Sequence, residues 1–110
     1  NEVRFTLASD KIIYIESSDN YCMIKYFNND KLYDFMLRST LKKLSEDLKD
    51  TPIQRCHRSF MINFEHVASL RKENTEICLE FDINGIKEIP VSKSYNEKIM
   101  ESFVTYSKQK

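Results

Sequence analysis

The residues best suited to chemistry lie between Gln54 and Asn63. Arg55, His57, Arg58 and Ser59 form a polar, cationic stretch that runs directly into Phe60, Met61 and Ile62. Asn63, a turn former, closes it. The apolar half predicts a short buried strand. The basic half is then held at the mouth of that strand, with its side chains fixed in aim. Arginine presents a planar fork of donors that fits phosphate oxygens or the edge of a guanine. Histidine and serine supply further phosphate donors. The plain alternative is a charged surface loop with no ligand.

Two more segments share this makeup, Ser17 to Tyr21 and Ser92 to Tyr95. Each joins a phosphate-type donor to one residue able to reach a base edge. Asn20 is that residue in the first segment, Lys93 in the last and Arg58 in the central one. By composition alone, three donor-rich loops are also compatible with ordinary surface.

Catalytic and metal chemistry fare worse. Cys56 beside His57 makes a poor nucleophile–base pair, because neighbours on an extended chain point to opposite faces. No third group orients them. Cys56 reads instead as a small core residue. Glu46 and Asp47 sit among lysines and solvate a helix face. Three cysteines and two histidines fit no zinc spacing. The sequence therefore predicts neither an enzyme nor a metal or cofactor site.

The elements that must position these segments are mostly strands. Val3 to Ala8 alternates weakly and predicts a first strand. Ile12 to Ile15 is β-branched and aromatic and predicts a second, broken by Ser17-Ser18-Asp19-Asn20. Tyr21 to Phe27 and Leu32 to Leu37 form a hairpin around Asn28-Asn29-Asp30. Leu41, Leu44 and Leu48 then recur at helical spacing, so an amphipathic helix is expected at about 39–50. Ser39 or Thr40 can cap it, and Pro52 ends it. Phe64-Glu65-His66 predicts a tight turn and Val67 to Leu70 a short strand. Glu76 to Phe81 alternates cleanly. Asn84-Gly85 is the strongest turn dipeptide, and Ile86 to Val91 returns as a strand that Pro90 places at an edge or end. Ile99, Met100, Phe103 and Val104 predict a C-terminal helix at about 93–107.

The whole chain sets bounds on these readings. Its 110 residues suffice for one core, so residues 1–110 are expected to form a single domain. Apolar residues are 41% and charged residues 31%, which excludes a disordered chain. One glycine excludes a glycine-rich phosphate loop. No apolar run reaches the roughly 20 residues of a membrane span. Asn1-Glu2-Val3-Arg4 is no signal peptide, and without a starting Met the chain is expected to be a fragment of a longer protein. Cys22, Cys56 and Cys78 read as reduced thiols of a cytoplasmic protein. Seventeen basic and 17 acidic residues balance, so binding of nucleic acid by bulk charge is excluded. Placement still matters: Arg38, Lys42, Lys43, Arg55, Arg58, Lys93 and Lys98 gather apart from Glu73, Glu76, Glu80 and Asp82.

Four segments, in order, resemble the LytTR family, the DNA-binding domain of bacterial response regulators of the LytR and AgrA type. They are Ile13-Tyr14-Ile15-Glu16 followed by Asn20-Tyr21; Thr40-Leu41-Lys42-Lys43-Leu44; Arg55 to Asn63; and Ile89 to Tyr95. The third is the most specific, and the likeness runs from about Asp10 to Ile99. The resemblance implies a mainly β fold, an elongated set of small, mostly antiparallel sheets with one packed helix. It implies that loops enter successive major grooves of double-stranded DNA. Asn20, Tyr21, Arg58 and Lys93 then contact bases. Ser39, His57, Ser59 and Ser94 contact the DNA backbone or brace the loops. Lys93 stands where arginine is common, and lysine lacks the planar fork, so readout there is expected to be less strict. The family also implies an N-terminal receiver or sensory domain and two copies bound to direct repeats at a promoter. Two residues keep a second reading: Tyr21 as a core cap, and His57 as a residue that only holds its loop. The rival for the whole chain is a β-rich protein-interaction domain.

Overall fold

The computed structural model describes residues 8–107. The strand expected at Val3 to Ala8 lies outside these residues except for Ala8, which precedes a 3-10 turn at Ser9–Lys11. Strands β1 (Ile12–Ser18), β2 (Tyr21–Asn28) and β3 (Lys31–Leu37) form an antiparallel meander. Helix α1 (Leu41–Asp47) follows, then the hairpin of β4 (Ile53–His57) and β5 (Phe60–Asn63). β5 pairs with β1, closing a five-stranded sheet in the order β3-β2-β1-β5-β4. A second sheet holds β6 (Val67–Glu73), β7 (Glu76–Phe81) and β8 (Ile89–Val91). A 3-10 turn (Lys93–Tyr95) leads into α2 (Asn96–Ser107). The molecule is elongated, 48 × 29 × 25 Å along its principal axes. Mainly β, antiparallel and elongated is the fold class expected from the sequence.

The first sheet is covered on both faces. Ile15, Ile24, Met61 and Ile53 pack under Leu41 and Leu44 of α1. Ile13, Phe60 and Ile62 face the second sheet and α2, meeting Ile77, Leu79, Ile89 and Ile99. All four residues of Ile12 to Ile15 and all four of β5 are therefore buried. That is why their sequence is continuously apolar rather than alternating. Each fully buried Ile or Leu contributes about 1.5–3 kcal/mol. β7, by contrast, alternates, with Ile77 and Leu79 inside.

The turns follow side-chain chemistry. Asn29 and Asp30 both have positive φ, 52° and 64°, as a two-residue type I′ hairpin requires. Asp19 (φ 54°) and Asn74 (φ 57°) take the left-handed position in the β1–β2 and β6–β7 hairpins. Gly85 (φ 91°) does so before β8.

Several boundaries differ from those expected. β1 continues through Ser17 and Ser18, which pair with Cys22 and Tyr21. Ladder bonds from both neighbours outcompete the serine hydroxyls. β6 runs to Glu73, because Asn74-Thr75 rather than the region after Leu70 makes the turn. β8 begins only at Ile89, and Pro90 sits on it at the sheet edge. α1 is shorter than 39–50: Thr40 caps it, its hydroxyl accepting from the Lys43 N–H at 3.1 Å, and Leu48 terminates it. The C-terminal helix spans the expected range, its first turn being 3-10. Met100 and Val104 stay exposed on it, while Ile99 is buried.

Candidate nucleic-acid interface

The stretch Gln54 to Asn63 is a hairpin, not a loop feeding a strand. Arg55 and His57 belong to β4, and only Arg58-Ser59 forms the turn. A bulge interrupts the ladder here: Arg55 pairs with Met61 and His57 with Phe60, leaving Cys56 as the extra residue. A bulge bends its strand and re-aims the side chains beside it. Cys56 turns fully inward, while His57 is half-buried and Arg58 exposed.

Backbone hydrogen bonds tie this turn to the other donor-rich segments. Leu37, Cys22 and Ser17 form one row across β3, β2 and β1. Ser17 N–H continues the row by donating to Ser59 O at 2.9 Å. Ser92 N–H donates to Cys56 O at 3.0 Å, which joins the end of β8 to the bulge. One end of the five-stranded sheet therefore carries Arg38-Ser39, Asp19 to Tyr21, His57 to Ser59 and Ser92 to Ser94. Segments more than 70 residues apart in sequence, Tyr21 and Ser92 among them, become neighbours through main-chain bonds.

Within this arrangement Asn20, Arg58, Lys93 and Ser94 are exposed. Tyr21, 42% exposed, opens β2 at the hairpin tip, which overturns its reading as a core cap. Ser39 is half-buried two residues beyond β3, where its carbonyl accepts from the Cys22 thiol at 3.3 Å. His57 is a brace in the structure. Its Nδ1 accepts the Ser59 N–H at 3.1 Å, and its ring meets Phe60 edge-on at 5.6 Å. Arg55 adds a second brace, donating from Nη2 to Arg58 O at 3.0 Å while its guanidinium lies over the Tyr95 ring. Among the described residues no ion pair involves Arg58 or Lys93.

Three acidic residues lie at or near this end, and Asp19, in the β1–β2 turn, is exposed and has no ion pair among the described residues. Glu16 is neutralised by Lys87 at 3.0 Å, and the Lys87 ammonium also lies over the rings of Tyr14 and Phe60. Glu76 lines a cavity of about 280 Å³ with His57, Ser92 and Lys93 and has no ion pair among the described residues. Further off, Arg71 bridges Glu73 and Glu88, holding acidic charge on the second sheet.

Sequence reasoning missed three positional residues. Asn63 is fully buried rather than a plain turn former. Its amide donates to Ser9 O and Ile12 O, and its carbonyl accepts from Glu65 N–H at 3.0 Å. Lys87 had no motif to mark it, and Glu76, expected to lie apart from the basic residues, instead lines a cavity with His57 and Lys93, because β7 pairs with β8 just ahead of the Lys93 turn. The cysteine is inert: burial pushes the Cys56 thiol up to about 12, and the thiol points at carbonyls of Phe60 and Pro90. Among the described residues no group of histidine, cysteine and carboxylate side chains could hold a metal ion. No helix there is long and apolar enough to cross a membrane.

Comparison with known families decides what this arrangement is. The model of the LytTr DNA-binding domain matches residues 2–103. The chain belongs to the LytTr DNA-binding domain family. The LytTr family is a DNA-binding one rather than an enzymatic one, and the donor-rich sheet end fits it. A solved structure described as the LytTr DNA-binding domain of a methyl-accepting/DNA response regulator from Bacillus cereus has the same fold, with a TM-score of 0.71. It is 24% identical, over 84% of this chain and 81% of that one. No curated protein matches this LytTr chain.

Proposed function

We propose that this LytTr domain is the sequence-specific output module of a bacterial, cytoplasmic transcriptional regulator of the two-component type. Residues 1–110 act as one DNA-binding domain, regulated by a receiver or sensory domain N-terminal to it. Asn20 and Tyr21, Arg58, and Lys93 enter successive major grooves and contact bases. Ser39, Ser59 and Ser94 contact phosphates, and His57 holds the central turn. Two copies bind direct repeats at a promoter, and the loops bend the duplex between them. No cofactor is required.

One observation carries this reading: the Ser17–Ser59 and Cys56–Ser92 backbone bonds gather three donor-rich segments at one sheet end. Rigid positioning is what base readout needs, because phosphate contacts alone hold register without reading sequence. The rival interaction domain draws on the exposed apolar side chains Tyr33 and Met36 of β3.

The test compares two variants on the tightest duplex recovered from a random pool. Arg58→Ala is expected to cost about 1–3 kcal/mol and to relax preference at one base pair. Ser59→Ala is expected to weaken all sequences alike. Equal loss on every sequence from both variants overturns the role of Arg58. No loss from either favours the interaction domain.

A further inference from the structure

A second basic site lies behind the β4–β5 turn. A cavity of about 370 Å³ opens between the end of α1, the free edge of β4 and the start of α2. Lys49, Arg55 and Lys98 supply its charge, and Ser45, Gln54 and Tyr95 its polar wall. No carboxylate lines it. Lys49, Arg55 and Lys98 also lack an ion-pair partner among the described residues, whereas Lys25, Lys43, Arg71 and Lys87 all have one. Three cations converging without a counter-charge repel one another, and an anion between them relieves that cost.

The guanidinium gives the site an aim. Arg55 spends Nη2 on the Arg58 carbonyl. Its Nε is buried with no hydrogen-bond partner in the protein. Nη1 is the guanidinium donor left to a ligand. The volume is at the small end of the about 300–1,000 Å³ of small-ligand sites, and the charge is that of a phosphate pocket.

We propose that this cavity binds one phosphate, and that the phosphate is a backbone phosphodiester of the duplex that Arg58 reads. Arg55 is bonded to the Arg58 turn, and Tyr95 closes the 3-10 turn that carries Lys93. The cavity thus sits between two base-reading segments, and phosphates are what a duplex presents beside its groove. Binding there would also fix the Arg58 turn through Arg55. This assignment rests on the DNA-reading function proposed above.

The double variant K49Q/K98Q tests it without touching a core residue, since both lysines are exposed. Affinity is measured against salt for the selected duplex and for scrambled DNA. The expected result is equal weakening on both, with the slope of log K against log salt shallower by about 1. K49R/K98R is expected to restore the slope, and K31Q to leave it unchanged. An unchanged slope in a folded K49Q/K98Q that still binds its duplex overturns the pocket and leaves the DNA-reading function standing. A wild-type domain that selects no duplex removes both. Inorganic phosphate, titrated alone, separates the sources. Saturable perturbation of Tyr95 and Lys98 signals without a change in DNA slope would make the site one for a small phosphate and overturn the backbone assignment.

Discussion

At the scale of single residues, burial and one shared atom decide roles more firmly than residue type. Cys56 and His57 are adjacent, yet one is a core thiol and the other a turn brace. Raising the thiol to about 12 has a definite consequence. Between about pH 9 and 12 the unfolded thiol is ionised and the folded one is not, so this residue's contribution is present below 9 and is lost as pH rises. The stability advantage of wild type over Cys56→Ala is therefore expected to narrow across that range in urea melts; a constant gap would contradict the shift. Alkylation of Cys56 at neutral pH is expected to proceed only at the rate of unfolding. Glu76 is the one unpaired carboxylate beside His57 and Lys93. Glu76→Gln is expected to strengthen binding to all DNA several-fold at low salt, an effect that fades as salt screens it. Asn63→Ala leaves the Ile12 carbonyl and Glu65 N–H without their partner, and a loss of about 2–3 kcal/mol in denaturant unfolding is expected.

Among the elements, the hairpin β4–β5 carries the site, and its precision comes from the bulge at Cys56 and the His57–Ser59 bond. His57→Ala removes the acceptor of the Ser59 N–H. Faster amide exchange at Ser59 is expected, with a loss of about 0.5–1.5 kcal/mol in affinity on every sequence. If affinity falls only for one base pair, His57 reads a base instead. Element scale is also where sequence was most and least informative. The Tyr21–Leu37 hairpin, the alternation of β7 and the leucine spacing of α1 were legible, because each is a local periodicity. The apolar run of β5 was legible as a buried strand, and that of β1 as a strand, though not its burial on both faces. The extension of β1 through Ser17-Ser18 was not, because a run of four small polar residues reads as a break, whereas Ser17 and Ser18 pair with Cys22 and Tyr21 across the hairpin, and Ser17 N–H also reaches Ser59 O, 42 residues away. Nor was the β4 bulge, since nothing local distinguishes an inserted Cys56 from an ordinary strand residue. The exposed Arg58 and Lys93 could be singled out by type, and the family resemblance gave them roles. That Arg55 belongs with Lys49 and Lys98 required the packing of two helices against one strand edge.

Over the whole molecule, neutrality and DNA binding are reconciled by segregation. Arg71 binds Glu73 and Glu88 on the second sheet, and Lys87 cancels Glu16 near the first. Arg38, Arg58 and Lys93 remain without carboxylate partners among the described residues at the reading end. Affinity is then expected to come from a small number of placed contacts, with modest attraction for scrambled DNA. Sequence reading by this sheet end can be measured directly. Its most direct test is selection of random duplex DNA by the domain, followed by titration of the winner and of scrambled DNA at two salt concentrations. Enrichment of a short repeated element is expected, bound far more tightly than scrambled DNA at both salts. Recovery of no common sequence, with binding that vanishes at moderate salt, would contradict sequence reading.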